Sequence, residues 1–275
     1  MSFLFEDWFW GQDGGKKYRR FDQTWLTYDI IQSFRVVSMF MFTGLLVAGF
    51  IYDTGIIDQF IYFTTWISYL SFASLILNYF AAEDQYLHPG EAKGNEKLLW
   101  RCALIVSQVA LASDFVVTII FWTLLFNGSF EPTLKFWYEF FIHILPLIFN
   151  FIDFSFSKFV WRLQHYFALL ALCISYTLFN FFYVKATGSP IYGFLNWEDL
   201  GTGLFISGSI IGLGSFFWFK FYAISILYDT ETSSISSQGV ITEETSVRSQ
   251  PILAKIDQEN FIQDYQSQSI EYLIA

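Results

Sequence analysis

Charge is what this chain has least of. Asp, Glu, Lys and Arg make up 15% of its 275 residues, where a soluble domain carries roughly a quarter. With 54% hydrophobic residues and a mean hydropathy of +0.42, that scarcity points to an integral membrane protein. Cysteine is equally sparse. Cys102 and Cys173 fall inside apolar runs in no metal or redox spacing, so they read as small core residues and no metal centre is expected. Basic residues are outnumbered, and a net charge of −10 speaks against nucleic acid as a partner. The N-terminal stretch MSFLFEDWFW lacks the positive region of a signal peptide and is broken by Glu6 and Asp7. The first apolar span is therefore expected to act as the signal anchor.

Long apolar runs, in contrast, are plentiful. Six stretches approach the roughly 20 residues a helical span needs: 34–52, 60–82, 98–126, 137–157, 163–183 and 202–224. The links between them are short except for the polar loop 83–97, so the expected fold is an all-α, six-helix membrane bundle over 34–224. Residues 1–33 precede it as a cytosolic segment. With the N-terminus inside and Arg35 set aside, twelve Lys and Arg fall on the inner side; only Lys135 and Lys185 fall outside. That asymmetry predicts an N-in, C-in topology. Beyond Tyr228 the chain is rich in Ser, Thr, Gln and Glu, with eight acidic and two basic residues. It reads as a mostly disordered acidic tail over 225–275, with a weak amphipathic signal at 252–272.

One span stands out. In 137–157, Glu139, His143, Pro146, Asn150, Asp153 and Ser157 follow one another at steps of four, three, four, three and four. At 3.6 residues per turn they share one helix face, and such a face belongs against protein or a wet cavity rather than lipid. Depth then sorts the polar residues. At 1.5 Å per residue, His143 lies ~9 Å below the outer boundary, Thr64 and Thr65 ~6–8 Å, and Asp114 ~12 Å. Asp153 and His165 fall at the inner ends of their helices, where Asp153 reads as an interfacial carboxylate near Lys158 or Arg162. His88 falls in the loop 83–97. Only one histidine lies in the outer half, so no bis-histidine haem site exists there. No span interior offers a Lys for a Schiff base, and six spans are not the seven of a receptor.

Each candidate has a structural reading beside the chemical one. Thr64 fits a hydroxyl near a helix start, and His143 fits an interfacial histidine satisfied by Glu139 one turn away. Together, a Thr hydroxyl and an imidazole at one depth permit nucleophilic catalysis. Glu139 or Asp114 would then hold the imidazole in the required tautomer. An oxyanion stabiliser would also be needed, and Asn180 is one side chain at suitable depth.

Four stretches recur in a familiar order: FIYFTTW at 60–66, IIFWTLL at 119–125, IHILPLIFNFIDF at 142–154 and TGSPIYGFLNW at 187–197. They resemble the androgen-induced-protein family of six-span membrane proteins, and are also similar to the rolling-stone family. The first resemblance implies an atypical threonine hydrolase that cleaves fatty acid esters of hydroxy fatty acids and takes its lipid substrate from the bilayer without a cofactor. By matching position its nucleophile falls on Thr64, with Thr65 the alternative, and its histidine on His143. Trp122, Tyr192 and Trp197 match positions that shape the pocket. Two departures are visible. Two residues rather than four separate His143 from Pro146, and Gly193 follows Tyr192 where a Pro is usual. Rolling-stone resemblance implies the scaffold without an assigned reaction. The alternative is thus a non-catalytic multi-span protein or a subunit of a membrane complex. Its helix partners would pack at Gly208 and Gly212, which stand at small-xxx-small spacing, or cytosolic partners would dock on the acidic tail. A small-molecule transporter would show paired broken helices, which are lacking. No ending typical of retrieval is present, and the endoplasmic reticulum or plasma membrane fits better than the mitochondrion.

Overall fold

A computed structural model describes residues 26–52, 59–87, 98–126, 133–157 and 161–247. The N-terminal segment, most of the loop 83–97 and the stretch 252–272 lie outside those residues in whole or in large part. Contacts divide the chain into two units, Met1–Ser225 and Ile226–Ala275, and everything below concerns the first unless stated. The described residues are mostly helical. Six long helices succeed one another: α1 (Tyr28–Tyr52), α2 (Phe63–Leu87), α3 (Leu98–Ile120), α4 (Leu134–Phe156), α5 (Tyr166–Thr187) and α6 (Leu200–Val247). A π-helical turn, Phe121–Leu125, extends α3, and a 3-10 turn, Leu163–His165, leads into α5.

Cross-links give the direction of each helix. Gln32 on α1 reaches the Tyr79 carbonyl of α2, while Phe42 packs on Phe72 farther along. Ser71 bonds Asp114, Ser74 bonds Ser107 and Asp84 accepts from Trp100, so α2 and α3 are antiparallel. Asp114 with Asn150 and Thr118 with the His143 carbonyl make α3 and α4 antiparallel as well. Along α3 and α5 the pairs Gln108–His165 and Val117–Tyr176 run in the same direction, and Tyr166 meets Ser215 across α5 and α6. An up-and-down bundle with short connections follows.

Five segments are long and apolar enough to cross a membrane: Tyr28–Ile51, Leu98–Leu125, Leu134–Phe156, Leu163–Thr187 and Leu200–Leu227. That is the architecture of a multi-pass membrane protein. α2 is not among them although it lies along α3. The reason is composition: α2 carries Ser68, Ser71, Ser74, Asn78 and Gln85, and because all five are buried it turns a hydrophilic face into the bundle.

Local chemistry sets the helix ends. The Thr133 hydroxyl accepts the Phe136 amide to start α4. Gly188, at φ 70°, ends α5 in the left-handed conformation and returns its N–H to the Val184 carbonyl. Asp199 accepts both the amide and the hydroxyl of Thr202, each at 2.7 Å, to start α6. Inside α4, Pro146 interrupts the ladder, and the Thr118 hydroxyl donates to the neighbouring His143 carbonyl at 2.7 Å.

Two expectations need correction. The first helix begins at Tyr28 rather than at 34, which adds Gln32 to the helix that carries Arg35. Asp153 is no interfacial carboxylate. It is 1% exposed, and Arg35 Nε donates to its Oδ1 at 2.7 Å from α1; a buried carboxylate needs such a partner. The apolar part of α6 ends at Leu227, while the helix itself runs on to Val247. Residues 248–275 lie outside the described part. Within the bundle, Gly208 and Gly212 face open space, whereas Gly214 approaches Val116 and Leu169.

Candidate functional site

The end of the bundle where α2 begins holds a cavity between α2, α3, α5, α6 and the loop that joins the last two. It encloses about 570 Å³ of space not filled by protein atoms, part of it open to the surroundings. Thr64 lines it from the first turn of α2, with Val117 and Ile120 of α3, Thr177 of α5 and Ser207 of α6. The sequence dictates this arrangement locally. FIYFTTW places Thr64 just inside the helix start, where the first amides lack intrahelical partners. One of them is met by the loop: the Phe63 N–H donates to the Tyr192 phenol oxygen at 3.0 Å. The Thr64 amide and hydroxyl lie within polar reach of that same oxygen. Beside it, the Tyr176 hydroxyl donates to the Ile61 carbonyl at 2.8 Å. Burial raises the Tyr192 phenol above its ordinary pKa, so it stays protonated.

The loop itself is fixed by Trp197. This residue is 2% exposed and adopts φ 56°, a conformation that bulky residues rarely hold without a compensating interaction. Its indole N–H donates to Asn180 Oδ1 at 2.6 Å, its carbonyl accepts Lys185 Nζ at 2.9 Å, and its ring lies against Gly203. The Asn180 carboxamide oxygen is thereby engaged in holding the loop, whereas its donor Nδ2 takes no part in that contact. Asn180 is fully buried and does not line the cavity.

His143 sits at the same end but on another face of α3. Its ring stacks on Phe121, the first residue of the π-turn, with centroids 3.6 Å apart and planes 11° from parallel. Nδ1 lies 2.6 Å from the Glu139 carbonyl oxygen. Because a carbonyl only accepts, Nδ1 carries the proton, and in the neutral ring Nε2 keeps its lone pair. Nε2 has no hydrogen-bond partner among the described residues. Phe121 and Thr118 turn toward α4, whereas Val117 and Ile120, one residue away in each case, line the Thr64 cavity. A step of one residue is ~100° around a helix, so α3 stands between the two groups, and His143 does not line the cavity.

The remaining candidates take separate places. The Glu139 carboxylate faces Lys135 at 3.8 Å and is half exposed; the backbone of Glu139, not its side chain, holds the imidazole. Asp114 is buried and accepts from Ser71 Oγ and Asn150 Nδ2, each at 2.7 Å, without touching His143. Trp122 packs on Phe140 and Phe126 and lies outside the cavity lining. Of the residues singled out from the sequence, the structure brings Thr64 and Tyr192 together and leaves His143, Asp114, Glu139 and Trp122 apart from them. It adds Tyr176, Ser207 and Phe121. Phe121 was within sight, since it stands in the IIFWTLL stretch; Tyr176 and Ser207 carry no local signal that separates them from other span residues.

Among the described residues, no group of three or more His, Cys, Asp and Glu is placed to hold a metal ion. No family model, curated protein or solved structure matches the chain.

Proposed function

We propose that this chain is a membrane-embedded lipid-ester hydrolase, spanning the bilayer six times with both termini inside, in the endoplasmic reticulum or plasma membrane. The observation that carries this reading is the placement of the Thr64 hydroxyl. It lies at a helix start, in a largely apolar cavity, beside a protonated phenol that organises the first amides of α2. The Lys and Arg asymmetry and the inward polar face of α2 support the sixth span.

In the reaction, Thr64 Oγ attacks the ester carbonyl carbon as its proton passes to His143 Nε2. The carbonyl–alkoxy bond then breaks, and the alcohol leaves with that proton. Water attacks the acyl-threonine, gives up a proton to the imidazole, and frees a carboxylic acid and the Thr64 hydroxyl. Because α3 separates the two groups, the transfer requires the Phe121–Leu125 turn to shift so that the imidazole reaches the cavity. A π-turn is a common point of such adjustment.

A fluorophosphonate probe applied to the full chain in lipid tests the proposal. Covalent label on Thr64 or Thr65, lost together with ester turnover in Thr64→Ala and His143→Ala, is the expected result. Wild-type turnover in both folded variants would refute it.

The absence of His143 from the cavity lining favours a second reading, a non-catalytic multi-span protein of rolling-stone type or a subunit of a membrane complex. In that case partners would meet the open Gly208 and Gly212 face of α6 or the acidic C-terminal stretch. An unlabelled but folded sample that binds lipid in the cavity would support it.

A further inference from the structure

Among the described residues, the cavity beside Thr64 carries no charge of either sign: none of those lining it is Asp, Glu, Lys, Arg or His. Its polar groups are the hydroxyls of Thr64, Thr177, Tyr176, Tyr192 and Ser207, and the Cys173 thiol. Ser207 is 4% exposed, and its Oγ has no hydrogen-bond partner among the described residues although it lines the space. A buried hydroxyl left in this way is a donor waiting for an acceptor.

The two described cations at this end of the bundle are engaged elsewhere. Lys135 faces Glu139 at 3.8 Å, and Lys185 Nζ donates to the Trp197 carbonyl at 2.9 Å. Glu198 and Asp199 add exposed negative charge to the loop that borders the cavity. A carboxylate or phosphate drawn in beside Thr64 would give up its hydration and find no counter-charge. The positive end of α2 offsets only part of that cost, and its Phe63 amide is already bonded to Tyr192. An ester carbonyl needs only a hydroxyl or amide donor, and these are present.

We infer that the group seated beside Thr64 is an uncharged ester, recognised at one oxygen by the Ser207 hydroxyl, and that an anion adjacent to the reacting carbonyl is rejected. For turnover this rests on the hydrolase reading; for binding it does not. It also eases product release, because the carboxylate product is ill matched to the cavity that its parent ester fits.

The test is a matched pair with one long acyl chain: the O-acyl glycolate methyl ester and the corresponding O-acyl glycolate free acid at pH 7. Binding is measured to the full Thr64→Ala chain in nanodiscs and turnover by the unaltered chain, both per mole fraction of ligand in the bilayer. Thr64→Val replaces Thr64→Ala should the latter fail to fold. The methyl ester is expected to bind at least tenfold tighter and to show at least tenfold higher kcat/KM. Ser207→Ala is expected to weaken methyl-ester binding severalfold while leaving free-acid binding unchanged. Equal or tighter binding of the free acid overturns the inference, even if both esters turn over and the hydrolase reading stands. Selective methyl-ester binding without turnover or label upholds the inference for binding and removes the hydrolase reading.

Discussion

Arg35 Nε on α1 donates to Asp153 Oδ1 on α4 at 2.7 Å, with both side chains shut away from the surroundings. Around the pair, Asn78 Nδ2 donates to the other carboxylate oxygen, Asp153 Oδ2, at 2.6 Å, and Arg35 donates to Gln32 and Ser157. One contact therefore ties α1, α2 and α4 together. Removing one partner leaves a buried charge uncompensated, so Asp153→Asn and Arg35→Met are each expected to cost about 3–5 kcal/mol. The double substitution Arg35→Met with Asp153→Leu should recover most of that loss, because replacing both charges by apolar groups is often neutral. Melting curves of the four proteins in one detergent decide it; a double variant no better than its parents would show that the pair is not an isolated unit.

Gly203 offers a second check. A Cβ there would fall 2.2 Å from Cε3 of Trp197, far inside contact distance. Gly203→Ala must therefore displace the indole from its Asn180 bond or shift the start of α6. The expected penalty is about 1–3 kcal/mol, read as a lower melting temperature. Gly208→Ala on the same helix meets nothing within 4 Å and should change little. Equal melting points for all three proteins would mean that Trp197 does not depend on this notch.

At the start of α6, Asp199 predicts a pH effect with a definite sign. The amide and hydroxyl of Thr202 bond its carboxylate and hold its pKa below the ordinary value, which is about 3.9. A depressed carboxyl contributes stability that is fully present above the unfolded value and is lost as pH falls through the folded one. The melting difference between the unaltered chain and Asp199→Ala should thus be constant from pH 7 to pH 5 and shrink below about pH 4. A difference that grows on acidification would reverse the assignment.

The sequence was legible where hydropathy acts over many residues. Span positions 98–126 and 137–157 agree with α3 plus its π-turn and with α4 to within a few residues. The match of Thr64 with Tyr192 was within reach because both stand in short stretches at helix ends whose order along the chain places them at the same end of the bundle. What escaped was rotation. Depth along a helix follows from counting residues, but the face a side chain presents depends on neighbours far away in sequence. His143 and Thr64 share a level, yet Phe121 and Val117 show that they address different sides of α3. Asp153 escaped for the same reason. Its partner Arg35 lies 118 residues away, on a helix whose start was placed one turn and a half too late.

The tautomer of His143 gives the most discriminating experiment on the site. Its Nδ1 is held by the Glu139 backbone carbonyl at 2.6 Å, while the Glu139 carboxylate turns toward Lys135. If that carbonyl sets the tautomer, the carboxylate is dispensable, and Glu139→Gln should leave Thr64 labelling and ester turnover within a factor of two or so. His143→Ala should reduce both by about 10²–10⁴, the usual share of a general base. Thr118→Val removes the hydroxyl bonded to the His143 carbonyl and should have an intermediate effect, since it loosens the turn that carries the imidazole. Labelling rates of the three variants, each normalised to folded protein by its melting curve, separate these roles. A Glu139→Gln protein as inactive as His143→Ala would transfer the orienting role from the backbone to the carboxylate.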